Sequence, residues 1–197
     1  MRYAAIEKFE AVNGIGCGVS LYVQGCPFRC PGCFNQITWD FNGGHEWTQE
    51  IEEEFFCYID KPYISRVSFL GGEPLANENV EKIFDLVKKI HNKFPNKQIW
   101  LFTGHTIKIG KQAFVDPDDD FKLKEQNYLY CEPVWKYPRK NIHRSGTLGL
   151  VDVVVDGRFE EDKKSLTLAF RGSSNQRIID VQNSLIKGEI ILWNHSK

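Results

Sequence analysis

The sequence has no long apolar run and no excess of charge of either sign. No segment approaches the roughly 20 consecutive apolar residues that a membrane-spanning helix needs. The first ten residues, MRYAAIEKFE, lack the apolar stretch of a signal peptide. Lys and Arg number 25 against 26 Asp and Glu, so the net charge of -1 gives no general attraction to nucleic acid. We therefore expect a cytoplasmic protein that binds neither nucleic acid nor membrane.

The sequence also lacks internal repeats, low-complexity tracts and linkers rich in Pro, Gly or Ser, so we expect one domain, residues 1–197.

The cysteines of the chain do not suggest a disulfide framework, because a chain with 42% hydrophobic residues can bury a core without one. In a reducing compartment, clustered cysteines are more often metal ligands or catalytic groups. Six cysteines are present, and only the second, third and fourth are clustered: Cys17, Cys26, Cys30, Cys33, Cys57 and Cys131.

Apolar segments with the length of strands alternate with segments of helical periodicity. The predicted strands are 19–24, 66–70, 98–102, 151–155, 177–181 and 189–193. The predicted helices are 48–59, 80–94 and 182–187, while 105–147 shows no sustained period. This alternation predicts an α/β fold with a parallel sheet whose ligands collect at the carboxyl ends of the strands. Because a closed eight-unit barrel takes about 250 residues, we expect an open, partial (β/α) barrel.

The clustered cysteines lie just after the first predicted strand with the spacing C-x3-C-x2-C. Thiolates are the usual ligands of iron-sulfur clusters, so Cys26, Cys30 and Cys33 could bind three irons of a cubane and leave the fourth open. Structural zinc is the alternative, but it normally takes four protein ligands. Cys57 or Cys131 could complete such a site, or that of a plain electron-transfer cluster.

Two glycine-containing segments follow the next two predicted strands. Gly71 and Gly72 would let a ligand approach the backbone closely, and Glu73 offers a carboxylate to a cation. Thr103 and Gly104 end the third strand in the same way. Each segment could also be a simple turn, but both are predicted to meet the cysteines at one edge of the sheet. The two segments together with the cysteines indicate a binding site more specifically than either segment does alone.

The cysteine motif followed by GGEP resembles the radical S-adenosylmethionine enzymes. The resemblance implies that Cys26, Cys30 and Cys33 bind a 4Fe-4S cluster whose open iron chelates S-adenosyl-L-methionine. It also implies that Gly71, Gly72 and Glu73 contact the methionyl ammonium, and that reductive cleavage gives methionine and a 5'-deoxyadenosyl radical. One departure concerns the residue before the third cysteine, often an aromatic against the adenine in that family and Gly32 here. Phe34 either replaces it or belongs to the core.

Four segments outside this shared motif extend the resemblance to the activating proteins of the anaerobic (class III) ribonucleotide reductase: CPGCFNQITWDFNGG, LFTGHT, VDVVVDGRF and RGSSNQRIIDV. Membership of that family would imply that the radical is passed to a backbone glycine of the reductase catalytic subunit. It would further require an electron donor such as flavodoxin. For the cofactor we expect Thr103 and Gly104 to supply additional contacts, with a plain turn as the alternative.

Other functions fit parts of the same pattern. The chain could activate another glycyl-radical enzyme or rearrange a small molecule, although it has no obvious extra domain to enclose one. Outside enzymes, it could be an iron-sulfur electron carrier or a zinc-stabilised binding module. If the substrate is a protein glycine, we expect the partner to dock on the carboxyl-end face of the sheet, near Cys33, Glu73 and Thr103.

Overall fold

A computed structural model describes residues 1–115, 123–132 and 138–194. Within these residues the chain forms nine strands and four α-helices. The strands are β1 (Arg2–Glu10), β2 (Gly18–Val23), β3 (His45–Glu46), β4 (Arg66–Gly71), β5 (Gln98–Thr103), β6 (Thr106–Val115), β7 (Leu123–Glu132), β8 (Val153–Asp156) and β9 (Arg177–Asp180). The helices are α1 (Gln49–Ile59), α2 (Val80–Lys93), α3 (Pro138–Leu150) and α4 (Val181–Lys187).

Seven strands form one mixed sheet in the order β3-β1-β2-β4-β5-β8-β9. Strands β2, β4, β5 and β8 are parallel, as the sequence predicts. The prediction of a wholly parallel sheet is wrong at both sides, where β1 and β9 run antiparallel to their neighbours. Parallel strands need a crossover, usually a helix, but a loop joins β1 to β2, and the segment from β8 to β9 contains only a short 3-10 turn. The described sheet has two ends, so it does not close into a barrel.

The helices cover one face of the sheet. The side chain of Thr48 caps α1 by accepting a hydrogen bond from the Ile51 amide, as predicted. Helix α2 begins at Val80, and its apolar positions pack on the main core. Alternate side chains of β5 face opposite ways: Leu101 joins this core and Trp100 joins a smaller apolar cluster on the other face. No helix in the described ranges has the length and apolar character to span a membrane.

Two parts of the chain differ from the sequence prediction. The segment without a sustained period contains a separate two-stranded sheet, β6 with β7, and helix α3. The predicted strand 189–193 is wrong, because its only ladder contact is an isolated bridge between Ile179 and Leu192. Part of the reason is local: the Ile191 amide donates to the Ser184 hydroxyl instead of to a strand.

A buried ion pair holds the loop between β1 and β2. The Arg66 side chain is fully buried, and its guanidinium lies 2.8 Å from Glu10 Oε1 while also donating to the carbonyls of Asn13 and Ile15. Glu10 in turn accepts from the Ser20 hydroxyl at 2.6 Å. Burial acts to raise the pKa of Glu10, but the hydrogen bonds from Arg66 and Ser20 outweigh it and hold that pKa below its ordinary value.

We predict that Glu10→Gln lowers the free energy of unfolding by about 3 kcal/mol at neutral pH, because it leaves the buried Arg66 charge uncompensated. Because the folded-state pKa of Glu10 is depressed, its stabilisation is present above the ordinary value of 4.5 and is lost as the pH falls through the folded-state value. Urea unfolding of both cluster-free proteins at descending pH measures the difference. A difference that stays constant as the solution becomes strongly acidic would contradict this account.

Candidate functional site

The carboxyl ends of β2, β4 and β5 open on a cavity of about 340 Å3. Every residue that the sequence singles out for cluster or cofactor binding lines this one cavity: Cys26, Cys30, Cys33, Phe34, Gly71, Gly72, Glu73, Thr103 and Gly104. Two further groups of lining residues come from the β1–β2 loop and from the segment between β8 and β9. The topology therefore brings the three predicted motifs together, while the role of each residue stays a prediction.

The cysteine loop is closed at its base by backbone pairing. Gly25 N donates to Thr38 O at 2.8 Å, and Cys26 N donates to Trp39 O at 3.1 Å. The Gln24 side chain adds a second closure, because its amide donates to the carbonyls of residues 37 and 40. Inside the loop, Cys33 N donates to Cys30 O. These bonds close the loop that carries the three cysteines, and all three thiols are half-buried beside the cavity.

The thiols of Cys26 and Cys30 lie in surroundings that favour their neutral form when no metal is bound. Burial, followed by the nearby negative charge of Glu73, raises the pKa of Cys26 to about 11, although the amides of Phe28 and Arg29 partly oppose this. Burial also raises the pKa of Cys30, against a hydrogen bond from the Phe159 amide. Ligation requires thiolates, so a bound metal must displace these protons, and its positive charge compensates for their loss.

Gly71 and Gly72 carry the backbone past the end of β2 with no space for side chains. Gly71 has φ +96°, and a Cβ there would lie 2.8 Å from Tyr22 Cα. A Cβ on Gly72 would lie 2.5 Å from the carbonyl oxygen of Gly25. This close approach lets Gly72 N donate to Val23 O and Glu73 N donate to Gly25 O, both at 2.8 Å. The GGE segment is thereby bonded directly to the base of the cysteine loop.

The Glu73 carboxylate is buried and links β4 to β5. Oε1 accepts from the Thr103 hydroxyl at 2.8 Å and from the Leu75 amide at 2.9 Å, and Oε2 accepts from the Gly104 amide at 2.8 Å. The sequence does not reveal this link, which gives Glu73, Thr103 and Gly104 a structural role in addition to the predicted one. Two carboxylate oxygens can accept about four hydrogen bonds, so Oε2 retains capacity for one more donor.

The structure explains why the residue before the third cysteine is not aromatic. Gly32 has φ +69°, a backbone conformation that residues with side chains rarely adopt, and a Cβ there would also lie 2.7 Å from the Glu161 carboxyl group. Phe34 is not a core residue, because 58% of it is exposed. Its ring lies edge-on to Phe159 at 5.4 Å and beneath the Lys164 ammonium. Phe34 thus remains the candidate for an adenine contact.

The segment between β8 and β9 covers one side of the cysteine loop. Phe159, Phe170 and Arg171 from this segment line the cavity. The Arg171 guanidinium donates to the Gln176 carbonyl, but its buried Nε has no hydrogen-bond partner among the described residues. In the sequence, Asp156-Gly157 indicates a turn, and the polar run at 171–176 fits either a contact to the cofactor's carboxylate or the partner, or a solvated loop.

The β1–β2 loop supplies a further side of the cavity that the sequence analysis misses. Val12 and Asn13 line it, and the Arg66 guanidinium fixes this loop by donating to the Asn13 carbonyl. The available signal is the pair of glycines after Asn13, because Gly14 and Gly16 both have positive φ. Such a pair indicates a tight turn but does not show which site the turn faces.

Comparison with known proteins identifies the family. A family model described as a 4Fe-4S single cluster domain matches residues 12–179. A protein of Salmonella typhimurium named anaerobic ribonucleoside-triphosphate reductase-activating protein is 35% identical over 178 residues, which are 89% of this chain and 96% of the relative. Proteins of the same name are 34% identical in Escherichia coli (89% and 96% covered) and 33% identical in Enterobacteria phage T4 (90% and 93% covered).

The chain belongs to the family of anaerobic ribonucleoside-triphosphate reductase-activating proteins. Membership in this activase family confirms the resemblance stated from the sequence. The matched region includes the cysteine loop, the GGE segment and Thr103-Gly104. The family model's description also favours an iron-sulfur cluster over zinc at the cysteines.

The side chains that line the cavity have the chemistry needed to bind a 4Fe-4S cluster and a polar organic ligand. Three free thiols supply soft donors on one short loop. The partnerless Nε of Arg171 offers a hydrogen-bond donor to such a ligand. Across the described ranges, no three Cys, His, Asp or Glu side chains converge on a point where one metal ion would bind. Thiols that each bind a different iron of a cubane do not need to converge in this way.

We predict that Cys26, Cys30 and Cys33 are the complete protein ligand set. Serine at any of these three positions should abolish stable incorporation of the cluster, because each thiolate would bind a different iron. Serine at Cys57, exposed on α1, or at Cys131, buried on β7, should leave the iron content unchanged, because neither lines the cavity.

Anoxic reconstitution followed by iron and sulfide analysis of each variant provides the measurement. Cys57→Ser and Cys131→Ser are the matched controls, since each removes one thiol outside the cavity. Loss of the cluster in either control would indicate a fourth protein ligand and a closed cluster.

Proposed function

We propose that this chain activates an anaerobic ribonucleotide reductase by generating a radical on a backbone glycine of its catalytic subunit. The observation that carries the proposal is the single cavity in which three thiols, the GGE segment and Thr103-Gly104 meet. Membership in a family whose relatives are named for activating this reductase supports the choice of partner. The absence of a side chain at glycine suits the reaction, because the reacting Cα can approach closely and its radical is delocalised over two peptide groups.

In this proposal the chain's own residues bind, orient and shield the reactants. Cys26, Cys30 and Cys33 would hold a 4Fe-4S cluster, which when bound supplies the electron that cleaves S-adenosyl-L-methionine to methionine and a 5'-deoxyadenosyl radical. Glu73 would accept a hydrogen bond from the methionyl ammonium through the remaining capacity of Oε2. Arg171 adds a positive charge that complements the methionyl carboxylate. The apolar side chains of the cavity limit access of water to the reactive carbon.

Further assignments complete the proposal. We assign the fold to the open, partial (β/α) barrel type, supported by four parallel strands with their carboxyl ends on one cavity. We also propose that residues 1–197 form one domain that works in the cytoplasm. There it would receive its electron from a donor such as flavodoxin. The reductase would dock over the cavity mouth, where Phe34 and Val12 are exposed.

The contact with Glu73 predicts that Glu73→Gln weakens binding of S-adenosyl-L-methionine by about ten- to a hundredfold. A charge-assisted hydrogen bond contributes roughly 1.5 to 3 kcal/mol, and a neutral amide cannot replace it. Calorimetric titration of the reconstituted variant measures the affinity, with iron content confirming that the cluster is intact.

Thr103→Val is the matched comparison, because it removes one hydrogen bond to Glu73 and retains the charge. If Glu73 acts through its charge, Glu73→Gln weakens binding far more than Thr103→Val does. Equal affinities for both variants would restrict Glu73 to its structural link between β4 and β5.

The activase function itself predicts two products from an anoxic mixture of this protein, a reductant, S-adenosyl-L-methionine and the reductase. Chromatography should detect 5'-deoxyadenosine, and the electron paramagnetic resonance spectrum should show a doublet on the reductase. The doublet should collapse when the reductase contains glycine deuterated at the α-carbon, because the splitting comes from that hydrogen. Cleavage without a radical on the reductase, where another glycyl-radical enzyme is activated, would reject this partner. A mixture that yields neither product would reject the radical chemistry.

A further inference from the structure

Asn79 occupies an unusual position for a buried amide. It directly precedes helix α2, where asparagine often caps the first turn. Its side chain makes no capping hydrogen bond, and only 1% of the residue is exposed. A buried carboxamide that does not cap its own helix must bond elsewhere, because an unsatisfied buried polar group is costly.

The Asn79 amide bonds to the two loops that form the candidate site. Nδ2 donates to Gln24 O at 2.9 Å and to Glu73 O at 3.0 Å. Gln24 lies two residues before Cys26, at the base of the cysteine loop, and Glu73 ends the GGE segment. Both hydrogens of the amide are therefore used to join the cysteine loop to the GGE segment, and both acceptors are backbone carbonyls.

These two loops need a side-chain connection because their backbones are rich in glycine. Gly25 has φ +93° and Gly71 has φ +96°, so both loops contain the residue with the greatest conformational freedom. Two backbone bonds, Gly72 N to Val23 O and Glu73 N to Gly25 O, already connect them. Asn79 adds a third point of attachment from outside the loops, and three points constrain relative rotation as well as separation.

Arg144 of helix α3 holds the turn between Glu73 and Asn79 from the other side. Its Nε donates to Leu75 O at 2.9 Å, and its Nη2 donates to Asn77 Oδ1 at 2.7 Å. The turn that carries Asn79 is thus fixed against the helical layer. Because Asn79 donates to Gln24 O, the base of the cysteine loop is held in place relative to this turn.

We propose that Asn79 is a positioning residue that fixes the distance and orientation between the cysteine loop and Glu73, and through them the affinity for S-adenosyl-L-methionine. This inference rests on the proposed function. A ligand held by both loops binds tightly only if they are already in the correct relative position, since otherwise part of the binding free energy orders them. Asn79 itself touches neither reactant.

The experiment compares wild type, Asn79→Ala and Asn127→Ala after anoxic reconstitution. Asn127 is the matched control, because its amide donates to Leu185 O at 2.7 Å and joins β7 to α4 away from the cavity. Each variant is assayed for iron content, unfolding by urea and calorimetric affinity for S-adenosyl-L-methionine. A spectrum of the reduced cluster with and without S-adenosyl-L-methionine adds a readout that overall stability does not change.

We expect Asn79→Ala to bind S-adenosyl-L-methionine about tenfold more weakly than wild type, the effect of losing two neutral hydrogen bonds of modest net strength. The spectral change on adding S-adenosyl-L-methionine should differ from that of wild type even at saturation. Asn127→Ala should match wild type in both readouts, although it too loses a partly buried hydrogen bond. Asn79→Ser, which can donate only one hydrogen bond, should have an intermediate affinity.

Equal affinity and identical spectra for Asn79→Ala and Asn127→Ala would overturn the proposal. Failure of both Asn79 variants to fold, under conditions where Asn127→Ala folds, would assign Asn79 to the fold as a whole and also overturn it. If wild type carries the cluster but does not bind S-adenosyl-L-methionine, the proposed function fails, and this inference fails with it. The wild-type result therefore separates the two failures.

Discussion

Parallel pairing of β2 with β4 is the constraint on which the site depends. The register sets Val23 opposite Gly71, and the pairing continues past both strand ends, where Glu73 N donates to Gly25 O. Since successive side chains on a strand face opposite sides, a shift of one residue would turn Glu73 away from the cavity. Glycine at 71 and 72 is required for this continuation, because a Cβ at either position would collide with the neighbouring chain. The cysteine loop and the GGE segment are thus two parts of one backbone arrangement.

The electrostatics of the site follow from the same arrangement. Burial of the Cys26 thiol raises its pKa, and the negative charge of Glu73, buried beside the cysteine loop, raises it further. Hydrogen bonds from Thr103, Gly104 and Leu75 stabilise the buried carboxylate. Burial and the Glu73 charge both disfavour the Cys26 thiolate, and a bound cation reverses this preference. A site with these properties favours iron and an ammonium group over anionic ligands.

The sequence predicted the elements with a clear period and the motifs at their ends. Helix α2 and strands β2, β4 and β5 follow directly from apolar patterning. Strand β1 was not predicted, because register shifts break its two-residue alternation. In the segment between β8 and β9, the sequence leaves Arg171 open between a binding contact and a solvated loop, and it does not indicate Phe159 at all, since loop packing leaves no periodic signal. Likewise, no spacing rule shows that Asn79 bonds to Gln24 instead of capping its helix.

The central claim is that three cysteines hold a four-iron cluster with one iron open to S-adenosyl-L-methionine. Mössbauer spectroscopy of protein reconstituted with iron-57 tests it most directly, because each iron contributes its own signal. The account predicts that adding S-adenosyl-L-methionine changes the parameters of one quarter of the iron and leaves the other three quarters as they were. A spectrum that S-adenosyl-L-methionine does not alter, from a cluster with four irons intact, would contradict the account.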